Sequence, residues 1–319
     1  MTMIPDMDSF ANRLRKVYRH TGKWARRQGI TCYRVYDADM PEFPLVIDRY
    51  EDYVHAAEYH RPHALDEAGH RLWRSACRQV MQDVLEVPAE RIFFKERQPQ
   101  KGARQYEKIG EKKREIIAHE GGLQFWVNLS DYLDAGLFLD HRITRQMVRE
   151  RAAGKRVLNL FAYTGSFTVY AAAGGALSTT TIDLSNNYLD WARRNLELNQ
   201  LQGSAHDFVR ADIISWLQMP ATERYDLAIL DPPTFSNSKA MRNILDIQQD
   251  HVYLINQTLH MLNPGGLIFF STNYRRFHLD TEAIENASVK NISAQTVPPD
   301  FRNKKIHQCY LVEKKGDGS

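Results

Sequence analysis

Cysteine is scarce in this sequence, with three thiols in 319 residues, at positions 32, 77 and 309. So few and so scattered, they exclude a disulfide framework and a zinc cluster, and they point to a reducing, cytoplasmic setting. Long apolar runs are missing as well. No stretch approaches the roughly 18 residues that a membrane-spanning helix requires. The opening Met1-Thr2-Met3-Ile4-Pro5-Asp6 lacks the charged-then-apolar layout of a secretory signal. Neither G-x-G-x-x-G nor G-x-x-x-x-G-K-[ST] occurs, so the usual cradles for a dinucleotide or a nucleoside triphosphate are excluded. There is no internal repeat and no low-complexity segment.

Acidic residues are absent from Ala11 to Tyr36, where eight basic ones stand: Arg13, Arg15, Lys16, Arg19, Lys23, Arg26, Arg27 and Arg34. Arg91 to Arg114 carries nine basic against three acidic residues, with Tyr106 and Gln98, Gln100 and Gln105 interleaved. A third block holds Arg142, Arg145, Arg149, Arg151, Lys155 and Arg156. Each block alone reads as a solvated face. Three of them in a chain of net charge +3 imply a segregated surface suited to phosphates. A membrane surface fits less well, since no large apolar face accompanies the charge.

The remainder is ordinary globular composition, 43% hydrophobic and 25% charged. At about 100–200 residues per domain the length predicts two. Residues 7–28 read as a basic helix with Phe10, Leu14, Val17 and Trp24 on one side. Strands are expected at 32–35 and 45–50, a helix at 66–86, and further strands at 91–95, 115–118 and 123–129. This α+β domain is expected to span 1–128. From 129 to 319 the rhythm becomes β–α alternation, with strands at 156–161, 178–183, 207–212, 225–231 and 267–272. Their near-continuous apolar runs suit a parallel sheet covered on both faces. The expected architecture is a doubly wound, Rossmann-like α/β sheet with its ligand at the carboxyl ends of the strands. Residues 292–297 and 306–312 are expected to close it as an antiparallel hairpin.

Chemistry collects at those strand ends. The first ends in Asn159-Leu160-Phe161-Ala162-Tyr163-Thr164-Gly165, whose glycine would let a ligand approach the backbone. Asp183 ends the second strand, where a carboxylate can accept both hydroxyls of a ribose or cap the next helix. Asp212 ends the third, as an acceptor for an adenine amine or again as a cap. Three such groups describe an adenosine without a pyrophosphate. The fourth strand ends in Asp231-Pro232-Pro233-Thr234-Phe235, where two fixed φ angles make a rigid exit and Phe235 can stack on a flat ring.

Asp183, Asp212 and Asp231-Pro232-Pro233 together resemble the cofactor site of class I S-adenosylmethionine-dependent methyltransferases. The segment Asp131 to Arg142 is similar to the entry segment of bacterial ribosomal RNA base methyltransferases. Asn159 to Phe167, Ser178 to Asp183 and Asp231 to Lys239 narrow the resemblance to the guanine-N7 half of bifunctional large-subunit ribosomal RNA methyltransferases. Tyr33-Arg34-Val35-Tyr36-Asp37-Ala38-Asp39 extends it over nearly the whole chain. The resemblance implies methylation of a guanine, at N7, in 23S ribosomal RNA or its assembly precursor, with S-adenosyl-L-methionine as cofactor and no metal. It places Phe138, Arg142, Asn159, Phe161, Tyr163, Thr164, Gly165, Asp183, Leu184, Asp212, Ile213 and Asp231 at the cofactor. Asp231, Pro232, Pro233 and Phe235 fall at the reacting base. The RNA would be gripped by Arg13, Lys16, Arg19, Lys23 and Arg27 in the first domain and by Lys239, Tyr274, Arg275 and Arg276 beside the sheet. The 319 residues leave no room for the guanine-N2 half of that fusion, so a separate partner would supply it.

Guanine N7 carries no proton and needs no general base. A cytosine C5 acceptor needs a cysteine adding at C6, and Thr234 and Ser271-Thr272-Asn273 stand where that thiol would be, against the carbon-methylating relatives. A small-molecule methyltransferase would gain little from three basic blocks. A non-catalytic RNA-binding protein would not need Asp183 or Asp231-Pro232-Pro233, and a nicotinamide oxidoreductase would carry the missing glycines.

Overall fold

The computed structural model describes residues 5–59, 65–97, 114–237 and 244–316. They form two compact units that are not contiguous in sequence. The first takes Met1–Gly122, Val127–Ala135 and Pro299–Arg302; the second takes Leu123–Trp126, Gly136–Pro298 and Asn303–Ser319.

Helix α1 (Met7–Gln28) opens the first unit. The Asp6 side chain accepts from the amide of Asp8 at its start, and Gly29, at φ 64°, ends it in the left-handed turn that favours glycine. Strands β1 (Cys32–Asp37), β2 (Leu45–Tyr50) and β3 (Tyr53–Tyr59) pair antiparallel in sequence order. Helix α2 (Glu67–Leu85) then crosses over to β4 (Ile92–Arg97), which lies parallel to β3. The core is aromatic: Phe10 stacks on Phe43 at 4.5 Å, and Phe43 on the fully buried Trp73 at 6.0 Å. Strand β3 has no counterpart in the sequence reading. Its turn is Glu51-Asp52, and Glu51 takes φ 55° without the glycine or asparagine that usually marks such a turn. Two short strands follow, β5 (Glu115–Glu120) and β6 (Leu123–Asn128).

In the second unit, helix α3 (Arg142–Arg151) precedes β7 (Arg156–Leu160), α4 (Ser166–Ala173), β8 (Ser178–Asp183), α5 (Asn186–Leu198) and β9 (His206–Arg210). Then come α6 (Ile213–Leu217), β10 (Tyr225–Leu230), the short β11 (Phe235–Ser236) and β12 (Leu245–Asp246), α7 (Ile247–His260) and β13 (Leu262–Thr272). Strand β14 (Ala287–Asn291), α8 (Ser293–Thr296) and β15 (Gln308–Lys314) close the chain. The sheet runs β14-β15-β13-β10-β7-β8-β9, with β15 antiparallel to both its neighbours and the rest parallel. The doubly wound expectation therefore holds.

The closing hairpin is present, but its first strand is 287–291. Residues 293–296 are helical, because the Asn291 side chain accepts from the amide of Ser293 and Thr296 Oγ1 turns back to the carbonyl of Ser293. The threonine-rich β8 is buried. Its Thr181 hydroxyl bonds Thr168, which accepts from the side-chain Nδ2 of Asn159, so the polar atoms satisfy one another inside the sheet.

Candidate active site at the strand ends

Strand order reverses at β7. Strands β8 and β9 lie to one side of it and β10 and β13 to the other, with Leu160 beside Leu230. The loops after β7 and β10 thus flank the switch point, where open sheets of this kind bind ligands.

The loop after β7 is strained. Phe161 and Tyr163, neither a glycine, adopt φ 57° and 50°. Each such residue costs about 1–3 kcal/mol and persists where its surroundings fix it. Asp183 does the fixing: Oδ2 accepts from the amide of Tyr163 and Oδ1 from that of Ser185, both at 2.9 Å. Burial pushes this carboxyl up to about 6, against the pull of those amide hydrogen bonds. Capping of α5 falls to Ser185, whose side chain accepts from Tyr188. Around the turn, the Tyr163 ring lies 5.3 Å from Phe138, which is 38% exposed, and 4.7 Å from Tyr188. Arg142 is half-buried where α3 begins, and Leu184 follows Asp183 with its carbonyl accepting from Arg210.

Other members of the expected cofactor set have structural duties. At Gly165, φ 70°, an added Cβ would fall 2.5 Å from that of Ala192 on α5. Helix packing therefore requires a glycine here. The side chain of Asn159 is buried and committed to Thr168, and Ile213 is 3% exposed in the core. Thr164 is buried too, its hydroxyl donating to the carbonyl of Gly136 at 2.5 Å. Asp212 caps α6, accepting from the amide of Ile214 and the hydroxyl of Ser215.

At the end of β10, Asp231 Oδ1 accepts from Ser271 Oγ at 2.6 Å, and Pro232 is buried beside it. Thr234 donates to the amide oxygen of Asn273 at 2.6 Å. Phe235 is 42% exposed. Tyr274 packs half-buried against the core, while Arg275 and Arg276 are exposed; Lys239 lies outside the described residues. All three thiols are buried, and burial raises each, Cys32 to about 12 and Cys77 and Cys309 well above their usual range. None is a thiolate at neutral pH.

The sequence reading missed a side-chain cluster behind Asp231. His141 Nε2 lies 3.7 Å from an oxygen of Asp140 and 3.7 Å from Asp231 Oδ2. His307 Nδ1 is 3.0 Å from Asp140. His141 sits inside the quoted entry segment, so its neighbourhood was legible; His307 carried no signal.

The basic blocks differ in what they expose. On α1, Arg15, Lys16, Arg19, Lys23, Arg26 and Arg27 are exposed, whereas Arg13 pairs with Asp39. Arg34 is buried between Asp37 and Asp48, and Arg145 is buried with its guanidinium on the carbonyl of Phe138. Most of the second block lies outside the described residues. Among those described, no helix is long and apolar enough to cross a membrane.

Residues 90–308 match the family model of S-adenosylmethionine-dependent methyltransferases. The chain is 50% identical over 314 residues to the ribosomal RNA large subunit methyltransferase K of Neisseria meningitidis, covering 98% of this chain and 89% of that one. It is 49% identical over 311 residues to the ribosomal RNA large subunit methyltransferase K/L of Methylococcus capsulatus, covering 96% of this chain but 42% of that longer protein. A solved structure described as a methyltransferase complexed with SAH superimposes with a TM-score of 0.74 at 26% identity, over 95% of this chain and 81% of that one. The strand-end geometry and these likenesses agree: the chain belongs to the S-adenosylmethionine-dependent methyltransferases, in the branch of the proteins named ribosomal RNA large subunit methyltransferase K.

Proposed function

We propose that this protein methylates N7 of a guanine in large-subunit ribosomal RNA, as free RNA or an assembly precursor, with guanine-N2 methylation left to a separate enzyme. S-adenosylmethionine fits the residues present. Asp183 offers a carboxylate oriented by the backbone amides around it. Its remaining lone-pair capacity suits the hydroxyls of a ribose. Phe138 and Tyr163 supply apolar faces, and Asp212, fixed by its cap, is the carboxylate placed to accept from the adenine amine. When bound, the cofactor supplies a methyl group on a sulfonium.

The chain's own residues then align, desolvate and compensate charge. Alignment at about 3–3.5 Å can contribute on the order of 7–11 kcal/mol. N7 attacks with a free lone pair, so no side chain has to remove a proton. The base becomes cationic as it is methylated, and the Asp231 carboxylate stabilises that charge. Pro232 and Pro233 hold the loop stiff, and the exposed Phe235 stacks on the base. The observation that carries guanine is the Thr234–Asn273 hydrogen bond. It engages the amide oxygen of Asn273 and leaves its NH₂ to donate. The edge bearing guanine N7 also bears the O6 acceptor, where adenine offers an amine instead. The buried, protonated thiols disfavour the cytosine-C5 reading. Extruding a base from a helix costs a few kcal/mol, which the exposed cations of α1 and Arg275 and Arg276 offset through phosphates.

Purified protein, labelled S-adenosylmethionine and transcribed large-subunit RNA test this by nucleoside analysis. The expected product is 7-methylguanosine; 5-methylcytidine, or no incorporation, would overturn it. Reversal of Lys16, Arg19, Lys23 and Arg27 to glutamate should flatten the logarithmic salt plot of RNA affinity by about two units or more. Coincident slopes would remove α1 from the RNA site.

A further inference from the structure

The transfer as described gives no role to the imidazoles behind Asp231. His141 is 5% exposed, and its Nδ1 is buried with no polar partner among the described residues, while Nε2 faces carboxylate oxygens of Asp140 and Asp231 at 3.7 Å each. That asymmetry sets the tautomer. A proton on Nδ1 would be a buried, unsatisfied donor, so the proton belongs on Nε2, between the two carboxylates. Burial, outweighing both carboxylates, lowers the affinity of the ring for a second proton.

His307, one residue before β15, braces this arrangement. The two rings stack at 4.6 Å and 10°, and His307 is held at both nitrogens, by Asp140 at 3.0 Å and by Thr296 Oγ1 at 2.9 Å. Asp140 and the two stacked rings thus hold one another in place. They form a wall that fixes the plane of the His141 ring.

We propose that His141 is a positioning residue that presents its Nε2–H to Oδ2 of Asp231 and, with Ser271 on Oδ1, sets the angle of that carboxylate at the mouth of the Asp-Pro-Pro loop. Closing 3.7 Å to a hydrogen bond takes a shift of less than about 1 Å, of the kind that accompanies substrate binding. The inference rests on the reading that Asp231 borders the transferring methyl.

Three variants separate the two. His141→Met and His141→Gln are similar in length and flexibility, but only glutamine places a donor where Nε2 was. Asp231→Asn tests the carboxylate itself. The measurements are kcat and KM for transcribed large-subunit RNA, the Kd for S-adenosylmethionine, and the melting temperature. The expectation is that His141→Met lowers kcat by about tenfold or more, with KM and cofactor Kd within about threefold, and that His141→Gln recovers most of the loss. Asp231→Asn should be at least as slow as His141→Met. A His141→Met enzyme as fast as wild type, or a His141→Gln enzyme no better than it, overturns the proposal while a slow Asp231→Asn upholds the reading of the site. An Asp231→Asn enzyme of unchanged kcat overturns that reading and the inference with it. Should His141→Met fail to fold, His141→Leu takes its place in the same contrast with glutamine.

Discussion

Two carboxylates end strands of the same sheet, and they are held by different means. Asp183 is gripped by backbone amides of a turn whose own dihedrals are strained. Asp231 is held by a side chain, the hydroxyl of Ser271, with the imidazole edge of His141 3.7 Å away. A group held by backbone is fixed by the path of the chain and tolerates change in neighbouring side chains. One held by side chains can be retuned by single substitutions. The first arrangement suits a binding contact that does not change during turnover, and the second suits a charge that must be aimed at a reacting centre.

The comparison breaks first at Asp183. On the proposed reading Asp183→Ala removes charge-assisted bonds to a ribose, worth about 1.5–3 kcal/mol, or roughly 10–150-fold in cofactor Kd. Titration calorimetry on the folded variant checks it, and unchanged affinity would take Asp183 out of the site. A smaller effect comes from pH. The carboxyl of Asp183 titrates at about 6 when folded, above its ordinary value of 3.8. A raised carboxyl contributes stability to the free protein that is fully present below about pH 4 and lost as pH rises through about 6. Cofactor binding needs the ionised form, so the sign reverses there. Affinity should be flat above about pH 7 and fall by up to about tenfold per unit below 6. Asp183→Asn should bind weakly with no such slope; a parallel slope in that variant would assign the titration elsewhere. The smallest effect belongs to Ser271→Ala, which removes the hydroxyl that donates to Asp231. A loss of about 0.5–1.5 kcal/mol, some two- to tenfold in kcat, is expected with cofactor affinity unchanged. Equal losses in both would mean that Ser271 supports the whole strand end rather than the carboxylate.

Much of the second unit was legible because a sheet buried on both faces writes itself as apolar runs, and Val157, Leu158, Leu160, Ile229 and Leu230 are all buried. Its terminal carboxylates were legible because a strand end is where a polar residue follows such a run. Strand β3 was not, since its turn borrows a left-handed glutamate and its buried positions include His55 and Glu58, which read as surface. Positive charge in the sequence does not reveal direction: Arg145 and Arg34 belong to basic runs yet point inward to carbonyl and carboxylate partners. His141 and His307 meet only because β15 adds itself to the sheet, a pairing that no local pattern encodes.

The membership of Pro299–Arg302 in the first unit bears on how the chain is made. Asp300 accepts from the backbone amide of Arg34, 266 residues earlier, and Phe301 lies 4.2 Å beneath the Arg34 guanidinium. A ribosome adding about 5–20 residues per second needs on the order of 13–50 s to synthesise the stretch between them. For that interval the buried pairing of Arg34 with Asp37 and Asp48 stands without its last aromatic cover. The first unit therefore waits for residues 299–302 before it is complete, and a nascent chain arrested before residue 300 should expose it to protease.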